Sequence, residues 1–175
     1  MTEEQQALSQ SSALPADLNR RLSCAALQYS HTQIERALDQ LSIEVTVAFQ
    51  DQTPQCICVL PEGLMFAGML LRRLIFPLTL DSWAQPPAQP VADTLDLSRP
   101  ILLLGVEAGQ PSFKPWLDWV APGKVSCVVL LQSAESQSCP IYAALPPLEG
   151  TKVGCGFQLE GFAANWGGLY LLNND

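Results

Sequence analysis

Cationic side chains and histidine are scarce in this chain. Across 175 residues there are nine Lys and Arg against seventeen Asp and Glu, a formal charge of -8, and a single histidine, His31. That balance excludes the broad basic footprint by which proteins hold nucleic acid or an anionic membrane surface. Long apolar runs are missing too. The run "GLMFAGMLL" is followed at once by Arg72 and Arg73 and falls far short of the ~20 residues that span a bilayer. The opening "MTEEQQALSQSSALPAD" carries acids and lacks the charged-then-apolar pattern of a secretory signal. A soluble, cytoplasmic protein is therefore expected, with residues 1–17 a mobile leader and residues 18–175 one domain. Beside Cys56 and Cys58 there is no second cysteine pair at ligand spacing, so no metal site is expected.

What is present is an alternation of short apolar strands and helices. Ile34, Leu38, Leu41 and Val45 recur at three- and four-residue spacing, which predicts an amphipathic helix over residues 32–49. His31 stands beside Ser30 and Thr32, good N-cap residues, and reads as a surface residue of the cap. "DQTP" ends the helix, and "QCICVL" predicts a short buried strand on which Cys56 and Cys58 share one face. Residues 64–74 read as a second helix, with Gly63, Ala67 and Gly68 permitting close approach to a sheet. "IFPLTLDSW" reads as a strand that Pro77 confines to an edge or to its first residues. Residues 84–98 are proline-rich without apolar periodicity, hence a loop.

Next comes "RPILLLGVEAGQPSF", a strand that breaks into a small-residue turn before the short helix "FKPWLDWV". A strand, a small-residue loop and a helix start can cradle a phosphate, because free backbone N–H groups point at the loop. Gly109, Gln110 and Ser112 can donate there, whereas Pro111 removes one N–H. "KVSCVVLLQ" is a continuous apolar strand of the kind buried on both faces, and the end has short strands punctuated by glycines. This order predicts a parallel α/β sheet flanked by helices. All six cysteines are expected as reduced thiols, mostly acting as small hydrophobes.

"ICVLPEGLMFAGMLLRRLIFPLTLD", the strand–loop–helix around residues 102–119, "VVLL" and "VGCGFQLEGFAANWGGLYLL" resemble, in order and spacing, the bacterial hypoxanthine-guanine phosphoribosyltransferases of the type I phosphoribosyltransferase family. The C-terminal segment carries the most specific part of the likeness, through Gly154, Gly156, Gly161, Asn165, Gly168 and Tyr170. The resemblance implies a type I phosphoribosyltransferase-like sheet, a homo-oligomer, and a reaction in which a purine nitrogen displaces pyrophosphate from phosphoribosyl pyrophosphate. Such chemistry recruits Mg²⁺, basic groups and carboxylates around the ribose.

Compared with the family, the charged positions are depleted. The two adjacent acids at the end of the strand before the phosphate loop correspond to residues 103–106, which hold none. Glu107 is the sole carboxylate nearby, a weak catalytic candidate that otherwise reads as an exposed turn residue. The glycine-bearing pyrophosphate loop is replaced by Pro61, Glu62 and Gly63, where the glutamate would repel pyrophosphate. The hood loop is shortened to residues 84–98. The purine-recognising lysine falls near Gln132 and Ser133, and the purine-stacking aromatic is matched by Val153. The metal-associated aspartate becomes Gln158, and the pyrophosphate-gripping arginine becomes Ala164.

The expectation is a scaffold kept without its chemistry: a catalytically inactive module for binding or interaction, with Gly109, Gln110 and Ser112 a vestigial phosphate loop and no cofactor. Mg²⁺ would be needed only by an active enzyme. Its partner would be another protein or a second copy. Trp83, Trp116, Trp119 and Trp166 either present an aromatic face to that partner or pack into the core. The alternative is an altered transferase or nucleotide sensor that still binds a purine nucleotide, with Glu107, Asp81, Asp93 or Asp96 taking over lost roles.

Overall fold

The computed structural model describes residues 2, 5–6, 14–86, 95–109, 111–119, 123–133 and 139–173. In chain order these form α1 (Ala16–Ser23), β1 (Ala26–Tyr29), α2 (His31–Phe49), β2 (Gln55–Val59), α3 (Gly63–Leu71) and β3 (Thr79–Trp83). There follow β4 (Ile101–Glu107), α4 (Lys114–Trp119), β5 (Val125–Leu131), β6 (Ile141–Leu145), β7 (Lys152–Val153) and β8 (Leu169–Leu171). Five strands make a parallel sheet in the order β3-β2-β4-β5-β6. A second, antiparallel sheet, β1-β8-β7, stands apart from it.

The apolar runs that predict doubly buried strands divide residue by residue between two cores. Cys56, Cys58, Leu102, Leu104, Val106, Val128 and Leu130 face α2 and α3, packing with Ile34, Leu38, Leu41, Phe66 and Leu70. Their neighbours Ile57, Val59, Ile101, Leu103, Val125, Cys127 and Val129 face the opposite side with Phe113 and Trp116. The period of two in a strand produces this partition, and both faces are covered because helices or loops lie on each.

Ser30 is the N-cap of α2: its hydroxyl accepts from the Gln33 N–H while the Gln33 side chain accepts from the Ser30 N–H, a reciprocal capping box. His31 is the first helical residue and is exposed, as expected. The second helix stops at Leu71, three residues before its predicted end. Nine residues make a marginal helix alone, and burial of Phe66 and Leu70, about 2 kcal/mol each, is what holds it. β3 begins after Pro77 and lies at the sheet edge, where a missing N–H costs little.

Two strands of the antiparallel sheet, β7 and β8, are among the short glycine-punctuated strands expected at the end of the chain, whereas β1 and its antiparallel pairing are not. With α1 this sheet encloses a third core of Leu18, Leu22, Val153, Leu159, Trp166 and Tyr170. Within the stretch read as a leader, Gln5 Nε2 donates to Ala25 O at 2.8 Å and Thr2 Oγ1 accepts from the Tyr170 hydroxyl at 3.0 Å. Among the described residues no helix is long and apolar enough to cross a membrane.

The presented aromatic face is not what forms. Trp116 is fully buried, with Trp83 and Trp119 half-buried against it edge-to-face at centroid distances of 6.3 and 5.9 Å. Trp166 is buried against Tyr170 at 4.9 Å. Large rings on so short a helix gain more from desolvation against the sheet than from exposure.

Candidate functional site

In a parallel sheet with helical crossovers, the loops leaving the carboxyl ends of the strands form the natural crevice. Here those loops follow β2, β4 and β5, and the C-terminal segment folds over the first of them. After β2 the Leu60–Pro61 peptide is cis and Glu62 is helical in its backbone. A Cβ at Gly63 would meet Leu104 O at 2.7 Å, so only glycine lets α3 start this close to β4. Gly156, at φ 101°, has its own close approach: a Cβ there would meet Glu62 O at 2.3 Å and Val106 Cγ1 at 2.8 Å. The C-terminal loop is thus seated directly on the loop after β2.

Between these two loops lies a cavity of about 250 Å³, lined by Pro61, Glu62, Leu64, Met65, Gly156, Gln158, Ala164 and Asn165. Pro61, Glu62, Gln158 and Ala164, far apart in the sequence, line one cavity. Among the described lining residues Glu62 carries the one charge, and its Oε2 is buried without a hydrogen-bond partner. No arginine or lysine is among the described residues that line this cavity. Val153 is not in this cavity: it is fully buried in the core between α1 and the small sheet, paired with Tyr170 across the β7–β8 ladder.

At the end of β4 the surroundings are hydrocarbon. A Cβ at Gly105 would lie 2.3 Å from the Phe113 ring, so the ring occupies the space a side chain would need. Val106 is buried on the other face. Glu107 is the last residue of β4 and not an exposed turn residue. Its carboxylate receives the Lys152 ammonium at 3.1 and 3.4 Å, and both side chains are largely shielded, 17% and 13% exposed. Lys152 also lies 5.8 Å from the centre of the Phe157 ring. A pair separated by 45 residues leaves no local pattern, and sequence reading missed Lys152 for that reason.

The loop after β4 has buried Ala108, exposed Gly109 and Pro111, and half-buried Ser112, while Gln110 lies outside the described residues. The helix that follows is only six residues long, and Trp116 N and Leu117 N donate back to Phe113 O. After β5, Gln132 N is spent on Leu145 O and Ser133 is buried.

The substitute acids are dispersed. Asp81 sits on the edge strand, beside a separate cavity of about 300 Å³ between β3 and α3. Asp96 accepts from the Ser98 hydroxyl at 2.6 Å and the Ser98 N–H at 2.9 Å; these bonds, with Arg99 nearby, hold its carboxyl below the usual range. Asp93 lies outside the described residues. Among the described residues no three His, Cys, Asp or Glu side chains gather as a metal cage.

No protein-family model and no curated protein sequence matches the chain. Solved structures do. A hypoxanthine-guanine-xanthine phosphoribosyltransferase superimposes with a TM-score of 0.68 at 21% identity, over 85% of this chain and 96% of that one. A hypoxanthine-guanine phosphoribosyltransferase from Bacillus anthracis gives 0.69 at 13% identity, over 85% and 98%. The enzyme from Leishmania tarentolae, in complex with GMP, gives 0.68 at 18% identity, over 86% and 98%. The chain has the type I phosphoribosyltransferase fold of these enzymes.

Proposed function

We propose that this chain of phosphoribosyltransferase fold is a non-catalytic binding module, its scaffold retained and its transfer chemistry lost. The observation that carries the reading is the end of β4. A ribose-facing acid pair has no room where Phe113 covers Gly105, and the one carboxylate nearby, on Glu107, is already neutralised by Lys152. The donor set does not fit Mg²⁺ with pyrophosphate either: Gln158 is neutral, Ala164 offers no cation, and Glu62 puts a negative charge where an anion would lie. Transfer from phosphoribosyl pyrophosphate develops charge on both fragments, and a site without compensating charge cannot stabilise it.

Protein contact, with a second copy or another protein, is then the role left to the scaffold, and exposed Leu64, Ile75 and Leu80 supply apolar surface for it. The persisting cavity favours one second reading, in which a purine nucleotide is bound without turnover.

Calorimetric titration with guanosine monophosphate, and separately with phosphoribosyl pyrophosphate plus Mg²⁺, together with a product assay in which guanine is added to the latter, decides between them. No heat with either ligand and no nucleotide product is the expected result. Saturable heat with the nucleotide alone would move the assignment to a sensor, and product formation would overturn the non-catalytic reading.

A further inference from the structure

Six cysteines are present, and two of them meet. Cys127 is on β5, in register with Ile141 of β6, and its N–H donates to Pro140 O at 2.9 Å. This pairing carries the residue just before Pro140 alongside the strand, so that Cys139 Sγ rests 3.4 Å from Cys127 Sγ. We propose that Cys127 and Cys139 are a redox-active dithiol, a modification site that a peroxide converts to an intramolecular disulfide linking β5 to the entry of β6.

The geometry separates this pair from the other thiols. A disulfide has sulfurs about 2.05 Å apart, so the two must approach by about 1.4 Å from the observed 3.4 Å, within reach of side-chain rotation. Cys139 is half-exposed and open to a small oxidant, whereas Cys127 is buried behind it. The two sulfurs share a hydrogen bond, and with Cys127 as its donor that bond holds the Cys139 thiol below the ordinary range and makes it the thiolate of the two. That hydrogen bond, with burial, pushes Cys127 up and keeps it protonated. Cys56 and Cys58, by contrast, are buried and raised to about 12 and about 11 by desolvation, and Cys24 is exposed.

The chemistry balances with hydrogen peroxide as oxidant. The Cys139 thiolate attacks one peroxide oxygen, the O–O bond breaks, and the departing hydroxide takes a proton to become water. Cys139 is left as a sulfenic acid. The Cys127 sulfur then attacks the Cys139 sulfur: the S–S bond forms, the S–O bond breaks, and the released hydroxide takes the Cys127 proton. Two thiols and one peroxide give one disulfide and two waters, with two electrons passing from sulfur to oxygen.

The test is mass spectrometry and thiol titration of the full chain after stoichiometric hydrogen peroxide, with Cys139→Ser, Cys127→Ala and Cys24→Ser in parallel. The expected result is a mass lower by two hydrogens, two fewer thiols titrated after denaturation, a peptide cross-link between 127 and 139, and reversal by dithiothreitol. Cys24→Ser should behave as the parent, and Cys139→Ser should lose the cross-link. Cys139 is half-buried at the margin of the core, so its serine variant disturbs packing less than a change at buried Cys127. Oxidation of Cys139 to sulfinic acid with Cys127 still a free thiol would overturn the proposal, as would a cross-link through Cys24 or no change in mass.

Discussion

Lys152 and Glu107 join the two parts of the fold: the first residue of β7 in the small sheet reaches the last residue of β4 in the large one, ammonium to carboxylate at 3.1 Å. Largely shielded from water, the pair is stable only as a pair. Lys152→Met strands a carboxylate and should cost about 2–3 kcal/mol, while Lys152→Met combined with Glu107→Leu should recover most of it, because two hydrophobes replace two desolvated ions. Urea denaturation of the two singles and the double closes the cycle. Additive losses would show that the ions do not interact.

Adding positive charge to the cavity should give it affinity for an anion. The triple variant Glu62→Gln, Gln158→Asp, Ala164→Arg removes the repelling carboxylate and adds a guanidinium among residues that already line one space. A charge-assisted contact is worth about 1.5–3 kcal/mol, so Mg²⁺-dependent pyrophosphate binding should strengthen by about tenfold or more. Calorimetry reads this directly. An unchanged isotherm would mean that shape, not charge alone, has departed from what the ligand needs.

Glycine positions in the C-terminal loop should fall into two classes by their neighbours. Gly156→Ala drives a methyl group into Glu62 O at a positive φ and should cost more than about 3 kcal/mol. Gly161 also has positive φ, 86°, but nothing stands within 4 Å of a Cβ there, so Gly161→Ala should cost only the left-handed backbone penalty of about 1 kcal/mol. The difference in denaturation midpoint between the two measures the loop-on-loop contact.

The outer side of α2 supplies a pH dependence. Burial pushes the Glu35 carboxyl up, but the hydrogen bond and charge of Arg73, with Arg72 and His31, outweigh it and hold the carboxyl below its usual range. Arg73 also reaches Asp39 at 2.7 Å. A lowered folded-state value stabilises the protein fully above the unfolded carboxylate pKa, about 4.3, and that part is lost as pH falls through the folded value. Arg73→Met should therefore destabilise by about 1 kcal/mol at pH 7 and by less near pH 3. Chemical denaturation at the two pH values checks it, and an equal loss at both would remove the ionic explanation.

The elements most legible in the sequence are those specified by local patterns. The three- and four-residue spacing of Ile34, Leu38, Leu41 and Val45 fixes a helix because only one face must be buried. The uninterrupted runs in β4 and β5 fix strands covered on both sides. Short strands were legible at the C-terminal end, but their pairing with β1 in a separate sheet was not, because β7 and β8 are two and three residues long and take their stability from each other and from α1. The lining of one cavity by Pro61, Glu62, Gln158 and Ala164 has no local pattern in the sequence. The Lys152 partner of Glu107, the Phe113 ring over Gly105 and the Cys127–Cys139 contact depend on strand order and register, which residue spacing does not encode.

The division of β4 between two cores makes that strand a clock. Its N–H groups are bonded to flanking strands, and Ile101 to Val106 are buried in two different apolar environments, so no local fluctuation can bare them to solvent. Deuterium should enter at Leu102 to Leu104 only when the whole molecule opens, far later than at the edge strand β3, with exposed Thr79, Leu80 and Ser82. The slowest-exchanging amides of this chain would then report its global stability in any mixture, with no catalytic signal required.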